Sequence, residues 1–182
     1  MEGQKLSTPI FTPSTKAEQG SHDENISPAQ GSPPLTFLWL VDKLFLTAAK
    51  VVGQELYDQI STAALKLYST AAEFALTRGL ILADTKFEFG LIPDGPEKRL
   101  ILIDELLTPD SSRYWPLDGY KAGGSQPSFD KQYLRDWLVS VGFHKGLESG
   151  PPGQEGKGWT IESNIVKGTR ERYVEAVELL TS

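Results

Sequence analysis

Residues 80–90 read Leu-Ile-Leu-Ala-Asp-Thr-Lys-Phe-Glu-Phe-Gly, and this stretch decides the predicted fold. A run of apolar residues followed by alternating polar and apolar residues is typical of a β-strand, because successive side chains point to opposite faces. The alternation places Asp84, Lys86 and Glu88 on one face. Three ionised groups are costly to bury unless each finds a partner, a metal or a charged ligand. Periodicity alone favours a solvated face with mutual ion pairs, and a binding site is the alternative.

The strand is followed by a turn and a second apolar strand. Residues 93–96 are Pro-Asp-Gly-Pro, which is turn chemistry, and residues 100–103 are apolar. We therefore predict an antiparallel hairpin whose polar face gathers the three ionic residues, together with Asp104 at its end. Asp104-Glu105 are suitable Mg²⁺ ligands, because Mg²⁺ prefers a few carboxylates with substrate phosphates. A loop or helix cap explains the pair equally well.

Helical periodicity flanks this hairpin, so the predicted fold class is α+β, with an antiparallel sheet flanked by helices. Helices are predicted at about 52–78, 129–141 and 161–181, and residues 108–128 are predicted to be a loop. Arg78-Gly79 is a typical helix end. The first helix has its apolar face at three- and four-residue spacing: Leu56, Ile60, Ala63, Leu67, Ala71 and Phe74. The last helix has its apolar face at Ile165, Tyr173, Val174, Val177 and Leu180.

Hydroxyl and cationic residues after the hairpin suit an oxyanion. Ser111-Ser112-Arg113 combine hydroxyls with a guanidinium, whose planar fork binds phosphate or carboxylate bidentately. Lys131 and Arg135 lie four residues apart, hence on one face of the predicted helix. Taken alone, Arg113 is more simply explained as a surface residue. Together these residues predict a site for a polyanionic substrate, a nucleotide and a metal.

Composition limits the classes of function. The 182 residues carry 18 Lys+Arg against 24 Asp+Glu, a formal charge of −6, so we expect no nucleic-acid partner. The absence of cysteine excludes disulfides, thiolate zinc sites and cysteine nucleophiles, and only two histidines are present. The apolar run at residues 35–49 is interrupted by Asp42 and Lys43 and is too short to span a bilayer. We expect a soluble, cytoplasmic protein without membrane association, and the composition leaves its oligomeric state open.

Several motifs in a fixed order resemble SAICAR synthetase, the phosphoribosylaminoimidazole-succinocarboxamide synthase family. The likeness rests first on residues 80–90 and on Asp104-Glu105 with residues 107–115, Leu-Thr-Pro-Asp-Ser-Ser-Arg-Tyr-Trp. It extends to residues 128–137, Ser-Phe-Asp-Lys-Gln-Tyr-Leu-Arg-Asp-Trp, and to Thr169-Arg170 with Tyr173 and Glu175. Upstream it includes residues 9–18 and 22–27, the latter His-Asp-Glu-Asn-Ile-Ser. The resemblance covers residues 9–30 and about 51–182.

The resemblance implies an ATP-dependent, amide-forming ligase of de novo purine biosynthesis. In this family, ATP phosphorylates the carboxylate of the aminoimidazole ribonucleotide CAIR. The amine of L-aspartate then attacks the acyl phosphate, which gives SAICAR, ADP and phosphate. A free carboxylate is a poor acyl donor, so phosphorylation supplies the leaving group, and alignment with charge neutralisation supplies the catalysis. The implied cofactors are ATP and Mg²⁺, and the implied partners are the small-molecule substrates CAIR, L-aspartate and ATP.

The resemblance also implies roles for individual residues. Glu88 and Asp104 would hold Mg²⁺ around the ATP phosphates. Lys86 would neutralise charge at the reacting groups as a catalytic residue, and Asp84 would orient substrate or metal. The implied substrate-binding residues are Ser112, Arg113, Lys131, Arg135, Lys16, Asp23 and Glu24.

The sequence departs from the family pattern in two places. The family's amino-terminal lobe carries a glycine-containing ATP loop with its lysine, and we expect this SAICAR synthase-like carboxyl-terminal lobe to lack it. Residues 1–30 would be a remnant of the substrate and ATP-site segment, and residues 51–182 would be the carboxyl-terminal lobe. Residues 31–50 look foreign, and a retained intron or a faulty gene model is our hypothesis for them. We therefore expect little or no ligase turnover from this chain alone, with a non-catalytic nucleotide- or anion-binding remnant as the alternative.

Overall fold

A computed structural model describes residues 2–15, 24–25, 48–143, 151 and 158–182. The described elements confirm the α+β class. In chain order they are β1 (Ser14–Thr15), β2 (Glu24–Asn25), α1 (Gln54–Thr77), β3 (Leu80–Thr85), β4 (Glu88–Asp94), β5 (Glu97–Ile103), β6 (Ser112–Pro116), α2 (Gln132–Ser140) and α3 (Ser163–Thr181). No helix in the described part of the chain is both long and apolar enough to cross a membrane.

The chain divides into two compact units. The first contains Met1–Lys5, Thr70–Glu88 and Ile103–Ser182, and the second contains Leu6–Ser69 and Phe89–Leu102. The first unit therefore holds β3, β6, α2, α3 and the loop between β5 and β6, while nearly all of the β4–β5 hairpin belongs to the second.

Three two-stranded sheets are present among the described residues: β1 with β2, β3 with β6, and β4 with β5. The hairpin prediction was right for β4 and β5. Gly95 and Pro96 alone connect them, and Gly95 takes a left-handed φ of 63°. A two-residue connection requires antiparallel strands.

The predicted partner of the first strand was wrong. Strand β3 pairs antiparallel with β6, in a segment that we had predicted to be loop, and the single strand predicted over 80–90 is divided between β3 and β4. The register passes from Leu82 opposite Tyr114 to Asp84 opposite Arg113, which leaves Ala83 as an extra residue. Such a bulge resets the alternation of side chains, so the two-residue period could not be extrapolated across it.

The core of the first unit lies on the β3–β6 pair and the helices of that unit. Its buried apolar side chains include Leu80, Leu82, Tyr114, Phe129, Ile165 and Ala176. Helix α1 ends as the sequence predicted, because Gly79 follows it with a φ of 72°.

The most deeply buried residues of the two long helices are only partly those that periodicity predicted. In α1 they are Tyr57, Ala64 and Ala75, whereas the predicted Phe74 is 46% exposed. In α3 they are Ile165, as predicted, together with Gly168 and Ala176, which were not predicted. The small residues Ala64, Ala75, Gly168 and Ala176 allow the closest approach of a helix to its neighbour, which periodicity of large apolar residues does not reveal.

The hypothesis about residues 31–50 falls largely outside the described residues, of which only 48–50 belong to that segment, and those three are helical. The division into residues 1–30, 31–50 and 51–182 stays a prediction.

Candidate functional site

The loop between β5 and β6, residues 104–111, carries the Asp104-Glu105 pair. Asp104 and Leu107 take left-handed φ values of 64° and 57°. For a leucine this conformation costs on the order of 1 kcal/mol. The hydroxyl of buried Tyr114 donates to the Leu107 carbonyl at 2.9 Å, and burial raises the pKa of that hydroxyl. The loop is thereby tied to strand β6.

Local hydrogen bonds close the second half of this loop. The Ser111 and Ser112 amides both donate to the Thr108 carbonyl, at 3.1 and 2.8 Å. The Thr108 hydroxyl donates to the Glu105 carboxylate. Glu105 therefore has the loop-capping role that the sequence left open for the Asp104-Glu105 pair.

A pocket of about 270 Å³ opens beside this loop, and every residue that lines it belongs to the first unit. The lining consists of Lys86, Glu88, Asp104, Glu105, Asp110, Ser111 and Lys131. Four carboxylates face two ammonium groups, so the lining is negative by two formal charges. An anion would enter such a pocket more readily together with a cation.

An ion pair fixes one wall of the pocket. The Lys86 Nζ lies 2.9 Å from the Glu88 Oε1. The Glu88 side chain is only 13% exposed, whereas that of Lys86 is 52% exposed. The ammonium group is thus held at the mouth, within reach of solvent and of an incoming ligand.

Arg113 lies between two carboxylates and does not line the pocket. Its Nη2 is 3.3 Å from the Asp84 Oδ2, and its Nε is 3.9 Å from the Asp130 Oδ2. Asp130 is 6% exposed, and its Oδ1 accepts the Gln132 amide at 2.6 Å. The guanidinium is oriented from two sides, although about half of its side chain remains accessible.

The Ser112 hydroxyl is directed into the β3–β6 pair. Ser112 is 4% exposed, and its Oγ lies 2.8 Å from the Thr85 Oγ1. In this structure its contact is therefore a cross-strand hydrogen bond.

Lys131 and Asp110 both line the pocket and contact each other. The Lys131 Nζ is 3.9 Å from the Asp110 Oδ1, and the Tyr173 hydroxyl donates to the same oxygen at 3.2 Å. Burial and the charge of Asp110 raise the pKa of Tyr173 to about 12. Arg135 is exposed and does not line the pocket, although its amide donates to the Lys131 carbonyl at 3.0 Å.

The structure therefore brings some of the predicted site residues together and separates others. Lys86, Glu88, Asp104 and Lys131 share the pocket, whereas Asp84 and Arg113 form a neighbouring pair. Glu24 lies in β2, where only its backbone is described. The predictions for Lys16 and Asp23 fall outside the described residues.

Sequence reasoning gave no individual role to three residues of this region. Asp110 lines the pocket, Asp130 orients Arg113, and Tyr173 contacts Asp110. Asp110 directly precedes the predicted Ser111-Ser112-Arg113 motif, whose Ser111 also lines the pocket, and that position was an available signal. Tyr173 is 63 residues away from Asp110, and no spacing rule would have joined them.

Within the described ranges, no group of three or more carboxylate or histidine side chains is placed to hold a metal ion by itself. The two predicted ligands, Glu88 and Asp104, do line one pocket. A metal there would need further oxygen ligands from a bound phosphate or from water, which is the usual coordination of Mg²⁺.

The sequence model of the SAICAR synthetase family matches residues 1–149. The chain belongs to the SAICAR synthetase family. Phosphoribosylaminoimidazole-succinocarboxamide synthases from Maridesulfovibrio salexigens and Corynebacterium diphtheriae are 48% and 49% identical to it over 180 and 183 residues. These matches cover 99% and 100% of this chain but 50% and 52% of the two relatives.

A solved SAICAR synthase structure agrees with this family assignment. The synthase from Saccharomyces cerevisiae, complexed with SAICAR, is 41% identical and superposes with a TM-score of 0.69. The match covers 98% of this chain and 48% of the yeast chain. This SAICAR synthetase family chain thus spans about half the length of the relatives that it matches.

Proposed function

We propose that this chain carries the phosphate- and metal-binding part of an ATP-dependent ligase that joins L-aspartate to CAIR through an acyl phosphate. The products would be SAICAR, ADP and phosphate. The proposal depends chiefly on the convergence of Lys86, Glu88, Asp104 and Lys131 on one pocket in a chain of the SAICAR synthetase family.

The pocket suits the phosphate end of ATP with Mg²⁺. Glu88 and Asp104 offer hard carboxylate oxygens, and the excess negative charge of the lining favours a divalent cation as the companion of a phosphate. When bound, Mg²⁺-ATP would supply the phosphoryl group that activates the CAIR carboxylate.

The protein's own cations would carry the electrostatic part of the chemistry. Lys86 stands at the mouth of the pocket, where its ammonium group would offset charge on the phosphoryl group and on the reacting carboxylate. Lys131, which lines the same pocket, would do the same. Arg113, oriented by Asp84 and Asp130, would bind the ribonucleotide through phosphate or carboxylate oxygens, with Arg135 adding positive charge nearby.

The size of the pocket favours a second candidate function, a non-catalytic anion-binding module. At about 270 Å³ it lies below the ~300–1,000 Å³ of sites that enclose a drug-sized ligand. It would hold phosphates and a metal, but not a whole nucleotide. The two candidates differ in whether nucleotide binding and turnover accompany the binding of CAIR.

Calorimetry and a coupled ATPase assay test the proposal. The purified chain is titrated with Mg²⁺-ATP and with CAIR, and ATP consumption is then measured with CAIR and L-aspartate present. Binding of both ligands supports the ligase site, and turnover that depends on CAIR and aspartate establishes the activity. CAIR binding without nucleotide binding favours the anion-binding module, and binding of neither ligand overturns both candidates.

A matched pair of variants places the binding in the pocket. Lys86→Ala removes a charge-assisted contact, so we expect the affinity for Mg²⁺-ATP to fall by at least roughly tenfold. Lys66→Ala removes an exposed lysine of α1 and should leave the affinity unchanged. Equal affinities for the two variants would show that the nucleotide binds elsewhere.

A further inference from the structure

We propose that Tyr173 is a positioning residue that keeps the Lys131 ammonium available to the substrate's oxyanion by holding the Asp110 carboxylate. This inference deepens the proposed function and rests on it for the identity of the anion. The contacts among the three side chains can be tested separately.

A single carboxylate oxygen is shared in this arrangement. The Asp110 Oδ1 accepts the Tyr173 hydroxyl at 3.2 Å, and the same atom lies 3.9 Å from the Lys131 Nζ. The distance to the ammonium group exceeds that of a direct charge-assisted hydrogen bond, which is about 2.7–2.9 Å. Tyr173 occupies the oxygen and withdraws part of its negative charge, so Asp110 restrains Lys131 without neutralising it.

The tyrosine ring lies in an apolar groove at the surface of the first unit. It lines this groove together with Leu134 of α2 and with Val174 and Val177 of α3. The ring therefore faces apolar side chains of both helices, while its hydroxyl contacts Asp110 in the pocket wall. An aromatic residue suits this task because its apolar body fixes the direction of its polar tip.

Three charged groups act on this hydroxyl. Asp110 and Asp130 favour its neutral form, and Arg135 opposes them. The hydroxyl therefore remains protonated through the neutral pH range and acts as a donor to Asp110. A deprotonated tyrosine would repel the carboxylate and release it towards Lys131.

The loss of the hydroxyl has a definite consequence. In Tyr173→Phe, Asp110 loses its donor and recovers its full charge, so it closes on Lys131 as a direct ion pair. The ammonium group is then partly neutralised before the substrate arrives. A hydrogen bond of this kind contributes about 1 kcal/mol, so an effect of roughly fivefold on the availability of Lys131 is expected.

Trace acetylation of the purified protein with acetic anhydride tests the contacts without any ligand. Mass spectrometry gives the labelling rate of Lys131 relative to that of exposed Lys66. We expect Tyr173→Phe to slow Lys131 labelling by roughly fivefold. Tyr133→Phe also deletes one hydroxyl of the same unit and should change nothing. An unchanged rate in Tyr173→Phe would overturn the inference.

A double variant separates positioning from a general loss of structure. With Asp110→Asn the carboxylate charge is gone, so adding Tyr173→Phe should have no further effect on Lys131 labelling. If Tyr173 only supported the local structure, Tyr173→Phe would change Lys131 labelling by the same factor in the wild-type protein and in the Asp110→Asn variant. That additivity would also overturn the inference.

CAIR binding connects the contacts to function. If wild type binds CAIR, Tyr173→Phe should weaken the affinity by roughly fivefold, and Tyr133→Phe should not. Equal affinities for wild type and Tyr173→Phe would overturn the inference while leaving the proposed function intact. If wild type fails to bind CAIR, the proposed function fails, and the labelling result alone decides whether Tyr173 positions Asp110.

Discussion

Asp130 stands just before helix α2, and its two carboxylate oxygens serve different neighbours. Oδ1 accepts the Gln132 amide at 2.6 Å, and Oδ2 faces the Arg113 Nε. The first contact satisfies one of the amides that every helix start leaves without an intrahelical partner. The second orients a proposed ligand-binding side chain. Asp130 thus contributes both to the stability of the helix start and to the orientation of Arg113.

Substitution of Asp130 should separate these two contributions. We expect Asp130→Ala to lower the free energy of unfolding by about 1 kcal/mol, because it deletes the capping acceptor. Asp130→Asn keeps an oxygen acceptor, so its free energy of unfolding should fall less than that of Asp130→Ala. Urea unfolding measures both, with Asp118→Ala in an exposed loop as the control. Equal losses for the alanine and asparagine variants would contradict the capping role.

Tyr173 makes stability depend on pH in alkaline solution. Its pKa is raised from 10 to about 12, first by burial and then by Asp110. Between these values the unfolded chain releases the proton before the folded chain does. The contribution of the Tyr173 hydroxyl to the free energy of unfolding is therefore complete below pH 10 and is lost as the pH rises towards 12.

The Tyr173→Phe variant tests whether Tyr173 causes this loss of stability at alkaline pH. Its unfolding free energy should fall less steeply than that of wild type between pH 10 and 12, as measured by urea unfolding at several pH values. Tyr120→Phe, which also deletes one tyrosine hydroxyl of the first unit, serves for comparison. A steeper fall in Tyr173→Phe would refute the assignment.

At the scale of elements, Gly168 allows helices α2 and α3 to approach closely. A Cβ at this position would lie 2.9 Å from two atoms of the Tyr133 side chain. The Tyr133 ring cannot move away easily, because the Arg172 guanidinium lies over it at 3.7 Å. The absence of a side chain at Gly168 is thus a packing requirement.

We therefore expect Gly168→Ala to destabilise the protein. Alanine gains about 1 kcal/mol in helix propensity, but a clash with a fixed ring costs about 1–3 kcal/mol, so the clash should prevail. Thermal unfolding measures the difference. Gly124→Ala, where a Cβ meets no atom within 4 Å, is the steric control. In a Tyr133→Leu background Gly168→Ala should cease to destabilise, and a persistent loss there would argue against the clash.

The elements also show where prediction from sequence succeeds and where it stops. The end of α1 at Gly79 and the turn at Gly95 follow from local conformational preferences, and both were predicted. Strand β6 was missed because its hydrogen bonds go to a strand 27 residues away, as Ser112 to Thr85 illustrates. The bulge at Ala83 likewise exists only in relation to the partner strand.

For the molecule as a whole, the proposed ligands should stabilise the folded state. A ligand that binds only the folded chain raises its free energy of unfolding, by about 2.7 kcal/mol at a free concentration of 100 Kd. Because the pocket lining is negative, we expect ATP to stabilise the protein only when Mg²⁺ is present. The melting temperature with Mg²⁺-ATP should thus exceed that with ATP and EDTA. A shift that EDTA leaves intact would exclude a metal-dependent site.

The sequence by itself determined the α+β class, the extents of the main helices and the family, because these depend on local periodicity, turn chemistry and ordered motifs. It also selected Lys86, Glu88, Asp104 and Lys131, which share one pocket. Only the tertiary structure decided that β3 pairs with β6, that Asp84 turns to Arg113 and that Tyr173 reaches Asp110. The physical reason is that strand register and contacts between distant helices and loops depend on which surfaces pack together, and a linear pattern does not encode that choice locally.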